Sequence, residues 1–190
     1  MMKSRIRKRT YQAIYRLLNK VSPLADDCGL LCGSACCDSE AIHEASIKGQ
    51  YGMYLLPGEE KVFTRKEDWL NWYIEPVEKY DFPESWTGQV YFVVCKTPPV
   101  CVRELRPIQC RTYPLAPHIS EDGTFSLVWN TETLPYRCPL VAEQPQLQED
   151  FIKATFTVWK RLITDPLIYD FVKMDSVYRG NDVLTVYKGE

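Results

Sequence analysis

The chain has 190 residues, 45% of them hydrophobic, which predicts one globular domain with a buried core. Its net charge of −2 gives no overall electrostatic case for nucleic-acid binding, so we expect no nucleic-acid partner. No apolar run reaches the length of a signal peptide core or a membrane span, so we expect a cytoplasmic protein that does not cross a membrane.

The first predicted element is an amphipathic helix over residues 4–21. Apolar residues recur at helical spacing, while Arg9, Arg16 and Lys20 occupy other faces. We interpret this helix as packing its apolar face on the core, in preference to a basic surface for membrane or nucleic acid. Ser22-Pro23 is expected to end it. The apolar positions are Ile6, Ala13, Ile14, Leu17, Leu18 and Val21.

The middle of the chain predicts a few short strands. The sequence QVYFVVC, from Gln89 to Cys95, is rich in β-branched and aromatic residues and is typical of a strand. Asp122-Gly123 predicts a turn, and a second strand is expected over Thr124–Trp129. The stretch WLNWY, residues 69–73, is assigned to core packing in preference to a partner surface. Residues 106–114 are expected to form a rigid, ligand-bearing loop without regular structure.

Two helices are predicted near the C-terminus. Residues 146–163 place a set of apolar side chains on one face, which is typical of an amphipathic helix. Asp165 and Pro166 are a good cap and first-turn pair, so a second helix is expected over 166–174. Residues 182–187 are a candidate terminal strand. The apolar face comprises Leu147, Phe151, Ala154, Val158, Trp159, Leu162 and Ile163.

Eight cysteines carry the main functional signal, and they fall into two groups that are far apart in sequence. The first group has the spacing C-x3-C-x3-C-C, and the second has C-x5-C-x8-C followed by one further cysteine. In a reducing compartment, such clusters favour metal binding or redox chemistry over structural disulfides. Burial as a small hydrophobic residue explains one or two cysteines but not two clusters of them. The candidate metal ligands are Cys28, Cys32, Cys36, Cys37, Cys95, Cys101, Cys110 and Cys138.

The surroundings of these cysteines fit a thiolate site but leave its details open. Arg103, Arg106 and Arg111 lie close in sequence to the second group, and guanidinium groups stabilise the negative charge of bound thiolates. Soft thiolates suit both zinc and iron–sulfur clusters. Four ligands are usual for one site, so the thiols allow two sites, or one site drawn from both groups. The lone histidines His43 and His118 are more simply explained as exposed loop residues than as ligands.

The cysteines also belong to a longer pattern, C…CG..CC, then C…C…RP..CR.YP, then CP. Its elements here are Cys28, Cys32-Gly33, Cys36-Cys37, Cys95, Cys101, Arg106-Pro107, Cys110-Arg111, Tyr113-Pro114 and Cys138-Pro139. This pattern resembles the family of zinc- or iron-chelating cysteine-cluster domains, the YkgJ-type Fe–S-cluster-containing proteins, over residues 28–140. The helical tail over 146–176 resembles a longer subgroup. The resemblance implies a zinc or iron–sulfur site held by these cysteines, and some relatives are, or are fused to, flagellin lysine methylases. Many members space the first cysteines by two residues, whereas this chain has three.

Together these features predict an α+β fold in a single domain, residues 1–190. An N-terminal helix in 1–21 and helices in 146–176 flank a cysteine-rich metal-binding loop module with a few short strands in 28–140. The leading hypothesis is a metal-binding protein that holds an iron–sulfur cluster or zinc in a redox or accessory role, with a protein partner of unknown kind. The alternatives are a cluster-dependent enzyme, methyltransferase-like or an oxidoreductase, and a zinc-stapled structural or interaction module.

Overall fold

The computed structural model describes residues 3–36, 52–96, 102–133 and 136–189. Within them the fold is mixed α and β, which confirms the α+β class. The helices are α1 (Lys8–Leu18), α2 (Gly29–Cys32), α3 (Ile108–Thr112), α4 (Pro139–Glu143), α5 (Glu149–Leu162) and α6 (Pro166–Arg179). The strands are β1 (Gly52–Tyr54), β2 (Leu70–Pro76), β3 (Gln89–Cys95), β4 (Leu115–Ile119), β5 (Phe125–Trp129) and β6 (Thr185–Lys188). None of these helices is both long enough and apolar enough to cross a membrane.

The first sheet is centred on β3, with β1 on one side and β2 on the other, both antiparallel to it. The strand predicted over Gln89–Cys95 is confirmed with the same bounds. β1 and β2 are absent from the sequence prediction, because β2 reads LNWYIEP and mixes polar residues and a proline into its aromatic stretch. Its pairing with β3, such as Trp72 opposite Val93, is a long-range contact that no local pattern encodes.

The second sheet has the order β4-β5-β6 and is also antiparallel. The predicted turn joins β4 to β5, where Asp122 Oδ1 accepts hydrogen bonds from Ser120 Oγ (2.7 Å) and the Thr124 N–H (2.9 Å). Gly123 has a φ of +82°, in the region that favours glycine. β5 agrees with the predicted strand to within one residue, and β6 overlaps the candidate terminal strand.

The N-terminal helix is shorter than its predicted span of 4–21, since α1 begins at Lys8 and ends at Leu18. The residues before it are bound elsewhere: a carboxylate oxygen of Asp165 accepts hydrogen bonds from Ser4 Oγ (2.8 Å) and the Arg5 N–H (2.6 Å). These hydrogen bonds fix Ser4 and Arg5 against Asp165, so the helix begins only after them. As predicted, α1 packs an apolar face on the core, formed by Tyr11, Ile14, Tyr15 and Leu18.

The C-terminal helices α5 and α6 form where the sequence predicts them. α6 begins at Pro166, and the other oxygen of Asp165 accepts a hydrogen bond from the Leu167 N–H (3.0 Å) as its cap. It continues to Arg179, beyond the predicted end at residue 174. The additional residues of α6 contact β4, where Ser176 Oγ accepts a hydrogen bond from the Ile119 N–H (2.9 Å).

Aromatic side chains join the first sheet to α6. Trp86 Nε1 donates a hydrogen bond to the Leu167 carbonyl (2.9 Å), and its ring centroid lies 5.4 Å from that of Phe171. The ring of Tyr54, on β1, lies 5.8 Å from the same Phe171 ring. The buried side chains of both sheets, α1, α5 and α6 therefore form one core.

Asp175, on α6, is a partly buried carboxyl group whose pKa is raised to about 6 by burial, with Arg179 opposing the shift and Glu132 adding to it. Folding therefore favours its protonated form, and stability is lost as pH rises from about 4 to about 6. We expect Asp175→Asn to match the wild type near pH 4 and to exceed its free energy of unfolding by roughly 1–3 kcal/mol near pH 7.5. Urea unfolding at both pH values measures this. Asp182→Asn, at an exposed carboxyl, is the control, and an Asp175→Asn variant weaker than wild type near pH 7.5 would contradict the expectation.

Candidate metal centre

Six of the eight predicted ligands lie within the described residues, and they come from four separate parts of the fold. Cys37 and Cys101 lie outside the described residues. The α2 region carries Cys28, Cys32 and Cys36, whereas β3 ends with Cys95, α3 carries Cys110 and Cys138 precedes α4. The side chains of Cys36, Cys95 and Cys110 are exposed, and the other three are partly exposed.

The first cysteine group is built around a single helical turn. Cys28 precedes α2, and Cys32 is its last residue. Gly33 then adopts a φ of +60°, and the Ser34 N–H donates to the Gly29 carbonyl (2.9 Å), which closes the helix. Cys36 therefore lies beyond the end of α2 and does not continue the helical face of Cys28 and Cys32.

Cys110 lies on a helix and not in a loop, so the prediction of an irregular segment over 106–114 is wrong. α3 spans Ile108–Thr112 and begins directly after Pro107. A proline at a helix start loses no intrahelical hydrogen bond, so this proline is compatible with the helix that follows. The second proline, Pro114, comes after the helix has ended.

A buried carboxylate holds the start of α3. Glu59 has no exposed surface, and it accepts hydrogen bonds from the Ile108 N–H (2.8 Å), Tyr15 Oη (2.7 Å) and the Leu56 N–H (3.0 Å). Burial raises the pKa of Glu59, and these hydrogen bonds oppose the shift. Sequence reasoning missed this residue, because one of two adjacent glutamates after a turn reads as a surface helix start.

Cys36, Cys95 and Cys110 line one cavity of about 140 Å³. Cys36 belongs to the first cysteine group and the other two belong to the second, so the fold brings the two groups to one cavity. Part of the cavity wall is apolar, because it is formed by the buried side chains of Trp69 and Leu70. The other lining residues are Gly52, Met53, Val93, Arg106, Pro107, Gln109, Tyr113 and Tyr136.

The other three described cysteines are linked to one another, and through Cys138 to Tyr113 in the cavity wall. Burial raises the pKa of the Cys28 thiol, and Asp27, Cys138 and Cys32 add to the shift, whereas Arg103 opposes it. Tyr113 lies between the cavity cysteines and the other three. Burial raises the pKa of its hydroxyl most, and the nearby thiols of Cys138 and Cys36 raise it further. These interactions link the described cysteines into one set, which we name the cysteine face (Cys28, Cys32, Cys36, Cys95, Cys110 and Cys138).

The arginines predicted to support the thiolates take different positions. Arg106 lines the cysteine cavity. Arg111 turns towards α1: it donates to the Glu104 carbonyl (3.1 Å) and to Asn19 Oδ1, and its guanidinium carbon lies 5.3 Å from the Tyr15 ring centroid. Arg103 lines a second, more open groove of about 320 Å³ that no described cysteine lines.

The described residues do not contain a complete metal-binding cluster, since no three of their His, Cys, Asp or Glu side chains stand close enough to hold one ion. His118 is not a loop residue but is buried in β4, where burial and Arg179 lower its pKa. His43 lies outside the described residues. The donor chemistry of the cavity still fits a soft metal, because three thiols line it beside an apolar wall.

No protein-family model, curated protein or solved structure matches this chain. The resemblance to zinc- or iron-chelating domains therefore stays a prediction.

Proposed function

We propose that the cysteine face binds a metal through thiolates, as an iron–sulfur cluster or a zinc ion, in a redox or accessory role. One observation carries this proposal: cysteines from both groups, which are far apart in sequence, line a single cavity. Soft thiolate ligands select zinc, copper(I) and iron–sulfur clusters over hard cations.

The ligand set would be drawn from both cysteine groups. Cys36 comes from the first group, and Cys95 and Cys110 come from the second. A fourth ligand would come from the rest of the cysteine face, or from one of the two remaining cysteines, Cys37 and Cys101. An iron–sulfur cluster would supply one-electron chemistry, whereas zinc would join the segments as a staple.

The exposure of the cavity thiols favours the redox or accessory role over a closed structural zinc site. Structural zinc is enclosed by four protein ligands, whereas Cys36, Cys95 and Cys110 are all exposed. A cluster-dependent enzyme is the second candidate, because the cavity offers space beside the thiols. In such an enzyme the apolar wall at Trp69 and Leu70 would exclude water from a bound substrate.

Metal and acid-labile sulfide analysis of protein purified without oxygen, together with its visible spectrum, tests the proposal. We expect iron and sulfide in matching amounts and a brown colour that dithionite bleaches. Zinc without sulfide would instead support the staple. Protein that carries no metal and whose thiols all react with a thiol reagent would contradict any metal-binding function.

A further inference from the structure

The cysteine cavity contains a second kind of sulfur ligand, a thioether. Met53 lines this cavity, and its Sδ lies 3.5 Å from Cys110 Sγ. Met53 is absent from the ligands predicted from the sequence, since a single methionine in a short strand carries no pattern. The two sulfurs are 57 residues apart in the chain, so their contact is made by the fold.

The contact is held by the elements that carry the two residues. Gln109, which precedes Cys110, donates a hydrogen bond from Nε2 to the carbonyl of Tyr54, which follows Met53 (3.0 Å). This bond ties α3 to β1 beside the sulfurs. On its other side, β1 lies so close to β3 that a Cβ at Gly52 would come within 2.4 Å of the Val93 carbonyl.

The register of the first sheet directs Met53 towards the cysteines. Met53 pairs with Val93 in β3, and directly opposed residues of paired strands share a face. Cys95 follows Val93 by two residues and therefore lies on that face as well. Met53, Val93 and Cys95 all line the cavity, in agreement with this alternation.

The separation of the two sulfurs suits shared coordination. Two sulfurs bound to one tetrahedral ion at about 2.3 Å each lie roughly 3.8 Å apart, so 3.5 Å needs only a small adjustment. A thioether is neutral and soft, and copper(I) is among the soft metals that thiolate and thioether ligands select. The buried Trp69 and Leu70 give the cavity an apolar wall, which limits the access of water to a bound ion.

We propose that Met53 and Cys110, completed by Cys36 or Cys95, form a binding site for copper(I). The inference rests on the proposed thiolate site and adds a third soft metal that this site binds beside zinc or an iron–sulfur cluster, one that neither the cysteine spacing nor the family resemblance implies. Met53 is then the residue that favours copper(I), because zinc and iron–sulfur clusters are usually held by thiolate, imidazole or carboxylate ligands, whereas copper(I) also takes a thioether.

Competition for copper(I) against bicinchoninate, under reducing conditions without oxygen, tests this inference. Wild-type protein is expected to withdraw copper(I) from the coloured bicinchoninate complex. Met53→Leu, which keeps the size and apolar character of the side chain, should weaken the affinity about 10- to 100-fold. Met174→Leu removes a thioether from α6, away from the cavity, and should leave the affinity unchanged.

A second measurement separates ligation from packing. In protein labelled with 13C in the methionine methyl groups, copper(I) should shift the Met53 signal and leave that of Met174 in place. Equal copper(I) affinity in wild type and Met53→Leu, with an unmoved Met53 signal, would overturn the inference. So would protein that holds iron or zinc but takes up no copper(I), an outcome that leaves the proposed thiolate site intact. Protein that binds none of the three metals overturns both.

Discussion

Replacing Glu59 with alanine is expected to lower the free energy of unfolding by about 3 kcal/mol or more. The substitution removes the acceptor of three buried or partly buried donors: Tyr15 Oη and the N–H groups of Leu56 and Ile108. Each buried donor left without an acceptor costs about 1–3 kcal/mol, and release of the buried carboxylate offsets part of the total. Urea unfolding followed by circular dichroism measures the change.

The position of Glu59 explains why the loss should be large. Its three donors belong to α1, to the turn before the 3-10 helix Glu59–Val62, and to the start of α3. Nearby, Tyr11 Oη donates to the Pro57 carbonyl (2.8 Å), so α1 is attached to this turn twice. Removal of the carboxylate would loosen α3, the helix that carries Cys110.

Two variants separate the hydrogen bonds from general disturbance of the site. In Glu59→Gln the carbonyl oxygen can still accept from Tyr15 and Ile108, but the new amide N–H2 would face the donor of Leu56, so an intermediate loss of about 1–3 kcal/mol is expected. Glu60→Ala, at the neighbouring and partly exposed carboxylate, should change stability little. Equal stability of Glu59→Ala and Glu60→Ala would refute the role given to Glu59.

Local sequence patterns predict the fold where local physics decides it. The β-branched run of β3, the apolar face of α5 and the Asp165-Pro166 start of α6 are all encoded within one element, and each is confirmed. The remaining strands depend on partners elsewhere in the chain. β2 forms because it pairs along β3, and β4 contains Pro117 yet forms as a sheet edge beside β5, a position where proline is tolerated.

In the candidate site, too, local sequence patterns predict some features, and others depend on distant parts of the chain. Cysteine spacing alone predicts a thiol-rich face, but it cannot tell that Cys36, Cys95 and Cys110 share a cavity while Cys28 lies closer to Cys138. Glu59 and Met53 carry no pattern at all. Glu59 is important because it accepts hydrogen bonds from both α1 and α3. Met53 is important because the β1–β3 register places it on the same sheet face as Cys95. Both roles arise from tertiary contacts.

Simultaneous replacement of Cys36, Cys95 and Cys110 by serine is expected to abolish metal binding. These are the cysteines that share the cavity, and serine is a hard, neutral hydroxyl in place of a soft thiolate. All three side chains are exposed, so the substitutions should leave the free energy of unfolding of the metal-free protein within about 1 kcal/mol of the wild type. Loss of metal would then report the loss of ligands and not of the fold.

The matched control is the triple serine variant of the other described cysteines, Cys28, Cys32 and Cys138. It removes the same number of thiols from the same face but leaves the cavity thiols in place. Metal content per chain, measured by elemental analysis after purification without oxygen, should fall to background in the cavity variant and persist at least in part in the control. Full metal content in the cavity variant would show that the cavity is not the site. The reverse pattern, with metal lost only in the control, would move the site to the α2–α4 side of the cysteine face, where Cys28 lies beside Cys138.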